Sequence, residues 1–535
     1  MAARAALRRE LKRSAPALLL LVAAGALDVL TVRHDTLTED EPVHYRYGVN
    51  VLEGDSTRFD DSKMPATALN ALPARVGARL RPGAFHDWLV RVETGRYATI
   101  AFALFIGTQV FRWSRELYGP AAGFWSLFLY ALDPNLIAHS RLITTDVYAA
   151  GMILLALHAF WAFLDRGGWP RAIGSAALLG LAQLAKYTSM YLYPIFFLIV
   201  AVREAPALWR RARAGDWGSL GRSALVFAKF AALFAAVSLL VLNLGFLFNR
   251  TGARLSEYQF RSGLFQRLQA ALPAGHLRVP VPYPFLDGLD WVWMGDREGV
   301  GYTYLLGELR GGHGFKGYFL YATLFKAPLP LLIAIAAALA VCVARRKALR
   351  WRDNEVFLLL PVLFFTIYFN FVSHAQWGIR IFLVVFPLLH VLCGVLLRDW
   401  PRTSARARAG VAVLAVWLVA SVLSYYPHYL PYFNEIVWDR KQAWRYLSDS
   451  NVDWGQGEWY LARWRERHPE ARVEPHASHP GRIVVGVSKL TGVLNPRRYK
   501  WLRQNFHPVE HIAHAYLVFD VTPERLRAVE PSASW

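Results

Sequence analysis

Residues 233–248 read LFAAVSLLVLNLGFLF and carry no charged side chain. Similar runs, almost free of charge, recur along the 535-residue chain, for example at 17–32, 328–343 and 410–426. With its flanking residues, each run approaches ~20 apolar positions, enough for a helix to cross about 30 Å of hydrocarbon. Soluble domains would not concentrate their apolar residues in this way. The sequence therefore predicts an all-α polytopic membrane protein.

About eleven transmembrane helices account for the apolar runs. They are predicted near 15–33, 97–111, 120–138, 147–164, 172–187, 189–203, 223–248, 319–344, 355–373, 379–397 and 409–427. The first run follows a basic segment and precedes small residues, so it could also be a signal peptide. A signal peptide leads into a soluble chain, whereas further spans follow here.

The distribution of Lys and Arg predicts the orientation. The formal net charge is +21, and the basic residues gather in clusters between predicted spans. With about eleven spans, all these clusters fall on one face, at 4–13, 111–117, 165–171, 203–222, 344–353 and 398–410. The positive-inside rule makes that face cytoplasmic, so the N-terminus is cytoplasmic in a multi-pass protein of the inner membrane. The positive charge is then a topology signal that requires no nucleic-acid partner, and it also suits anionic lipid headgroups.

Three large segments fall on the opposite, extracytoplasmic face: residues 34–96, residues 249–318, and a tail from about 428. In the tail, RIVVGV at 482–487 and AYLVFDV at 515–521 have the composition of short strands, and GEWYLARWRER at 457–467 that of a helix. We therefore predict a transmembrane domain over 1–430 and a small α/β extracytoplasmic domain over 431–535.

Candidate catalytic acids follow the first span in TEDEPVHYRYG, residues 38–48. Asp40 and Glu41 could act as a base and its neighbour, or they could be solvated loop residues. Asp146 begins the fourth span, where a carboxylate also suits the N-terminus of a helix, so capping and function are both open. We expect Glu39 to be solvated.

Candidate phosphate-binding cations are Lys63, Lys186 and Arg380, each at the edge of a span. Any one of them could simply extend to the headgroup region. Lys186 is harder to explain in that way, because it lies in a short turn facing outward, against the positive-inside bias. A cation at such a position favours an anionic partner, and a lipid phosphate or pyrophosphate fits.

Histidines on the same face, including His44 and His374, match no dense metal-binding motif. Cys342 and Cys393 both lie inside predicted spans and offer neither a disulfide framework nor a metal site. We retain His44 and His374 as candidate contacts to an acceptor or a sugar, and we predict no metal ligands.

Several stretches, in order, resemble one known family. The chain is similar to the protein O-mannosyltransferase superfamily of GT-C membrane glycosyltransferases, to which the lipid A aminoarabinose transferases are related. The resemblance covers nearly the whole chain and is carried by DEPVHYRYG (40–48), TTDVYAA (144–150), LAKYTSMYLYP (184–194), GYFLYATLFKAPLPLL (317–332), GIRIFLVVFPLL (378–389) and YFNEIVWDRKQAWRYLSDSNVDWGQG (432–457).

The sequence also departs from the family pattern. Where relatives commonly have His-Pro-Pro or Lys-Pro-Pro, residues 62–66 read SKMPA. Some relatives carry an acid before this Lys and can bind a metal near it. Ser62 stands there instead, which puts a divalent metal in doubt. The Trp-Trp-Asp motif of oligosaccharyltransferases is absent, which argues against transfer of a whole oligosaccharide to asparagine.

The resemblance implies a reaction in which an acceptor hydroxyl attacks the anomeric carbon of a polyprenyl-phosphate-linked sugar, with inversion. Asp40 would be the general base, Glu41 would shape its field or hold the acceptor, and Asp146 would position the base or the sugar. The family resemblance further implies that Lys63, Lys186 and Arg380 neutralise the departing phosphate, and that no cofactor is required. The acceptor could be a protein, a lipid or a glycan.

Two alternatives remain open at this point. A transporter or flippase of lipid-linked sugar would place charged residues deep in the bundle and often shows repeat symmetry, whereas the polar residues here gather on one face. Another GT-C-like enzyme, such as a polysaccharide ligase, is harder to separate by sequence. The identities of the sugar and the acceptor are not encoded in any motif that we recognise.

Overall fold

The computed structural model describes residues 2–56, 62–273, 275–299 and 301–530. Helices dominate it. In chain order they are α1 (Ala2–Val32), α2 (Glu41–Glu53), α3 (Ala68–Gly77), α4 (Ala84–Leu89), α5 (Arg96–Tyr118), α6 (Pro120–Ala131), α7 (Pro134–Ser140), α8 (Asp146–Arg166), α9 (Trp169–Gln183), α10 (Leu192–Arg213), α11 (Trp217–Gly245), α12 (Gly263–Ala271), α13 (Tyr283–Glu298), α14 (Tyr318–Lys326), α15 (Leu329–Ala344), α16 (Val356–Phe371), α17 (Phe386–Cys393), α18 (Ala405–Leu423), α19 (Glu458–Arg467), α20 (Val487–Thr491), α21 (Lys500–Asn505) and α22 (Pro523–Val529).

The strands are few and short. They are β1 (Tyr302–Leu305), β2 (Glu308–Gly311), β3 (Arg472–Val473), β4 (Gly481–Gly486), β5 (Glu510–Ile512) and β6 (Tyr516–Val521). The chain is thus a mainly helical, multi-pass membrane protein with a small sheet region, as the sequence predicts.

Within the described residues, six helical segments are long and apolar enough to cross a membrane. They are Ala15–Val32, Asp146–Arg166, Tyr187–Arg213, Trp217–Gly245, Ile379–Leu397 and Ala405–Leu423. The pair α14 and α15 counts as a seventh only if it is one span, since it is bent by 119°. All eleven predicted segments are helical, but by length and composition fewer than eleven qualify as spans.

Prolines explain two of these differences. The predicted span 120–138 breaks into α6 and α7, where Pro134 restricts the preceding Asp133 to extended backbone. The predicted span 319–344 bends at Pro328, the residue before α15, because a proline inside a continuous helix would remove a backbone hydrogen bond. The polypeptide therefore crosses these regions in two short pieces instead of one long helix.

The spans differ in how deeply they are buried. Ile379–Leu397 is 89% buried and Asp146–Arg166 is 67% buried, whereas Trp217–Gly245 and Ala405–Leu423 are 11% and 17% buried. The first two are central and the last two lie at the periphery of the bundle. Asp146 and Arg380 stand at or next to the first residue of the two central spans, so the bundle core fixes both.

An ionisable pair lies inside the bundle, where the sequence predicted none. His390 Nε2 is 3.3 Å from Asp133 Oδ2, and both side chains are completely buried. His390 belongs to α17, in the most buried span, and Asp133 lies in the break between α6 and α7. The expectation that polar groups gather on one face was therefore wrong for this pair, because the break at Pro134 exposes polar backbone that a buried acid can satisfy.

The two segments predicted as large loops contain regular structure. Residues 34–96 include α2, α3 and α4, and residues 249–318 include α12, α13 and the antiparallel hairpin of β1 and β2. In the tail, β4 and β6 coincide with the two predicted strands and α19 with the predicted helix. These strands belong to a four-stranded sheet of order β3-β4-β6-β5, in which only β3 and β4 are parallel.

The tail is tied to the bundle by buried hydrogen bonds. Lys326, at the end of α14, is 1% exposed. Its ammonium donates to the carbonyl oxygens of Leu430 at 2.7 Å and Asn451 at 2.6 Å. Asn451 in turn accepts the backbone N–H of Ile379 at 2.9 Å. The tail thus contacts the residue that precedes Arg380.

Close packing at Gly48 gives a stability prediction. A Cβ at this position would lie 2.4 Å from the carbonyl oxygen of Thr67, which is backbone and cannot move aside cheaply. We expect Gly48→Ala to destabilise the protein by about 1–3 kcal/mol through overpacking. Thermal unfolding of the detergent-solubilised protein measures the effect. Gly174→Ala is the matched control, since no atom lies within 4 Å of its added Cβ. Equal unfolding temperatures for the two variants would contradict the packing at Gly48.

Candidate functional site

The core of the site is the carboxylate of Asp146, the first residue of α8. Its side chain is 2% exposed, and Oδ1 accepts from the Lys186 ammonium at 2.5 Å. Lys186 lies directly between α9 and the 3-10 turn Tyr187–Tyr191, in extended backbone. A buried carboxylate at a helix N-terminus is stabilised by the helix dipole and by a paired cation, and both are present here.

Arg380 joins this pair to the first loop. Its Nη1 is 3.7 Å from Asp146 Oδ2 and 3.1 Å from Asp40 Oδ2. The guanidinium also lies over the ring of Trp454, 4.1 Å from its centroid. Its Nε donates to the carbonyl oxygen of Trp377 at 3.1 Å. These contacts hold the guanidinium plane in one orientation between two carboxylates.

The turn before Arg380 requires a glycine. Gly378 has φ of 80°, and a Cβ there would lie 2.3 Å from Ser450 Oγ. That hydroxyl donates to the carbonyl oxygen of Trp377 at 2.8 Å. The tail therefore packs against the backbone that positions Arg380.

Four predicted residues thus form one chain of ion pairs: Asp40, Arg380, Asp146 and Lys186. We call this the acid–cation chain. Exposure varies along it, with 35% for Asp40, 13% for Arg380, 2% for Asp146 and 22% for Lys186. Asp40 is its most accessible carboxylate, and Lys186 its most accessible cation. A ligand can reach both ends, while Asp146 is buried in the middle.

Glu41 occupies a different environment from that of Asp40. It is completely buried, and its two oxygens accept from Arg96 Nε at 2.7 Å and Arg96 Nη2 at 2.6 Å. The backbone N–H groups of Thr38 and Ile143 donate to the same carboxylate at 2.8 and 3.0 Å. This saturated geometry leaves no oxygen for an acceptor, so it favours Glu41 as an anchor that positions the neighbouring Asp40.

His44 and Lys63 lie beside the acid–cation chain. Burial lowers the pKa of His44 to about 3, and the nearby charge of Lys63 adds to this, so its imidazole is neutral. Asp40, Asp146 and Arg380 also influence the pKa of His44. Its Nδ1 is buried and has no hydrogen-bond partner among the described residues. The Lys63 ammonium donates to Ser62 Oγ at 3.2 Å.

His374 is not part of the acid–cation chain. Its Nδ1 contacts the carbonyl oxygen of Arg297 at 2.7 Å, and its ring packs against His313 with centroids 4.4 Å apart. It lines a separate cavity, which none of the acid–cation residues lines. The two candidate contacts therefore lie in different places, His44 beside the acid–cation chain and His374 in this separate cavity.

Sequence reasoning assigned no role to an acidic cavity of about 260 Å³ that adjoins the chain. Its lining includes Trp377, Trp454, Asp449, Asp453 and Glu39. Burial raises the pKa of Asp453 to about 6, and burial also raises the pKa of Asp449. Three of these five residues belong to the family-like stretch 432–457, so this stretch was the sequence feature that could have indicated the cavity. Glu39 is exposed, as expected, but at the mouth of this cavity.

Among the described residues, no group of three or more His, Cys, Asp or Glu side chains is arranged to hold a metal ion. The carboxylates of Asp40 and Asp146 each face a cation instead. The prediction that the reaction needs no metal and no cofactor stays a prediction, and no step proposed below uses either one.

The contrast between Asp40 and Glu41 can be measured. Glu41→Ala leaves Arg96 as an unpaired buried charge, which costs about 3–5 kcal/mol. We expect a large fall in the thermal unfolding temperature. Asp40→Ala, one residue earlier and partly exposed, should change stability by less than about 1 kcal/mol. Similar losses in both variants would contradict the anchoring role of Glu41.

A comparison with protein-family models matches residues 90–214 to the dolichyl-phosphate-mannose-protein mannosyltransferase family. The matched region contains Asp146 and Lys186 but neither Asp40 nor Arg380. A comparison with curated proteins finds no match.

A solved structure shares the fold of this chain. The apo oligosaccharyltransferase of Archaeoglobus fulgidus matches with a TM-score of 0.51 and 16% identity, over 84% of this chain and 59% of that one. ArnT from Cupriavidus metallidurans bound to undecaprenyl phosphate matches with a TM-score of 0.49 and 14% identity, over 77% of this chain and 65% of that one. The chain thus spans less than two thirds of the length of either structure. The comparisons therefore show a fold shared with the archaeal oligosaccharyltransferase and a family-model match confined to residues 90–214.

Proposed function

We propose that the protein transfers a sugar from a polyprenyl-phosphate donor to an acceptor hydroxyl, at the membrane face where α8 begins. The observation that carries the proposal is the acid–cation chain, in which an accessible carboxylate and two cations are held together by a buried acid. Glycosyl transfer from a phosphate needs a base for the acceptor and positive charge for the leaving group. The acid–cation chain supplies both the base and the positive charge within a few ångströms of each other.

Asp40 is proposed as the general base. Its carboxylate is the most exposed of the chain, and Glu41 fixes the start of α2 beside it through the buried pair with Arg96. The acceptor oxygen attacks the anomeric carbon as its proton passes to Asp40. The bond from that carbon to the phosphate oxygen breaks, and the phosphate leaves with the electron pair. Attack opposite the leaving group inverts the anomeric centre.

Lys186 and Arg380 are proposed to bind the donor phosphate. Asp146 holds both cations in place before any donor arrives, so little reorganisation is needed when negative charge develops. Lys63 and His44 lie close enough to add a further cation and a neutral imidazole to the same environment. Their proposed partners are the phosphate and a hydroxyl of the sugar or acceptor, respectively.

The proposed donor class rests on the family description and on this charge arrangement. The matched family is described by a dolichyl-phosphate mannose donor, and the ArnT structure contains undecaprenyl phosphate. A lipid phosphate is common to both and is the anion that the two cations fit. We further propose that the site and the tail domain face the outside of the cytoplasmic membrane, with the N-terminus in the cytoplasm.

The base is tested by Asp40→Asn, which keeps the shape and removes the basicity. We expect kcat for transfer from a polyprenyl-phosphate sugar to fall by about 10²–10⁴-fold, because a positioned general base contributes about that much. The purified variant should show unchanged thermal unfolding. Glu53→Gln, at the exposed end of the same helix, is the control. A folded Asp40→Asn protein with full activity would remove Asp40 from this role.

The donor contact is tested by Lys186→Ala. Loss of one charge-assisted hydrogen bond should weaken donor binding by about tenfold to a hundredfold. The effect is measured as KM for the donor, or as the Kd for the polyprenyl phosphate alone. Lys229→Ala, an exposed lysine on α11, should leave both constants unchanged. Unaltered donor affinity in Lys186→Ala would count against phosphate binding at this residue.

A further inference from the structure

A second cavity lies away from the acid–cation chain, where α14 begins and α16 ends. Its volume is about 510 Å³. Basic, acidic and apolar side chains share the lining, which includes Glu308, Arg310, His313, Lys316, Tyr321 and Phe371. The residues of the acid–cation chain do not line this cavity.

The cavity is held in shape by the loop that precedes α14. The side-chain amide of Gln376 accepts from the N–H of Phe315 at 2.9 Å and donates to its carbonyl oxygen at 2.7 Å. The carbonyl oxygen of Asn370 accepts from the N–H of Gly317 at 2.9 Å. Gly314 has φ of 57°, and a Cβ there would lie 2.3 Å from Gln376 Oε1. The loop that presents His313 and Lys316 is therefore tightly fixed to the end of α16.

The lining has an excess of positive charge. Glu308 pairs with Arg310 at 2.7 Å, whereas Lys316 makes no ion pair within the part of the chain that the structure describes. His374 Nδ1 lies 2.7 Å from the carbonyl oxygen of Arg297, so this nitrogen carries the hydrogen. His313 Nδ1 lies 3.3 Å from the same nitrogen. An imidazole N–H of His313 can donate a hydrogen bond to an anion in the cavity.

An apolar surface leads into the same cavity. Leu363, Ile367 and Phe371 recur every four residues on α16 and are 59%, 48% and 55% exposed. Leu320 and Leu324 form a matching exposed row on α14. Lipid-facing apolar rows are normal on membrane helices. The informative feature is that Phe371 and Tyr321 belong both to the exposed apolar surface and to the lining of the basic cavity.

We propose that this cavity binds the phosphate of a membrane lipid, whose acyl chains lie along the exposed rows of α14 and α16. Arg310 and Lys316 neutralise the phosphate, and His313 donates a hydrogen bond to it. The adjoining apolar surface favours a lipid over free phosphate, because only a lipid can contact the basic cavity and the exposed apolar rows at the same time. The proposal is independent of the reaction at Asp40, since none of the acid–cation residues takes part.

The test uses the full-length purified protein and native mass spectrometry. Three probes are compared: dioleoylphosphatidic acid, dioleoylglycerol, which lacks the phosphate, and inorganic phosphate. We expect only phosphatidic acid to be retained. The double variant Arg310→Ala with Lys316→Ala should retain it ~30-fold less well, because each basic residue near an anionic lipid contributes about 1 kcal/mol.

The control removes the same charge elsewhere in residues 249–318. Arg267→Ala with Arg278→Ala changes two exposed arginines that do not line the cavity and should retain the lipid like the wild type. Lys316→Arg should retain most of the binding. Equal loss in the control pair, undiminished retention in the cavity pair, or equal binding of inorganic phosphate or dioleoylglycerol would each overturn the proposal. Activity at the Asp40 site is measured in parallel and should not change.

Discussion

The buried carboxylate of Asp146 is the group on which the site depends. A carboxylate with 2% exposure would be costly in a membrane bundle unless cations compensate for it. Lys186 and Arg380 provide this compensation from two other parts of the chain, the turn after α9 and the start of the most buried span. Three segments that are distant in sequence are therefore brought to one point by a single electrostatic requirement.

This requirement also explains why the cations are ready for a ligand. Lys186 and Arg380 are both paired with Asp146, and their side chains remain 22% and 13% exposed. A buried anion fixes them more firmly than surface pairing would, because surface ion pairs contribute little. The site can thus be stable when empty and still present positive charge to a phosphate.

Much of this arrangement could be predicted from sequence, and some could not. Long apolar runs and the distribution of Lys and Arg identify the membrane helices. The family-like motifs mark Asp40, Asp146, Lys186 and Arg380. Their pairing is tertiary, as Asp40 and Arg380 lie 340 residues apart. The neighbouring acids Asp40 and Glu41 are harder to distinguish by sequence, because their difference lies in tertiary contacts: Arg96 pairs with Glu41 and Arg380 with Asp40. Local motifs also cannot place His374, whose position follows from the path of the chain after α16.

The buried Lys326 has a consequence for biosynthesis. Its two acceptors, the carbonyl oxygens of Leu430 and Asn451, lie 104 and 125 residues later in the chain. Until those residues have been synthesised, the inserted bundle holds an ammonium without its final partners, in surroundings where such a group is unstable. Asn451 also binds the backbone beside Arg380. A chain that stops before Asn451 would therefore lack both a partner of the buried Lys326 ammonium and the hydrogen bond to the backbone beside Arg380.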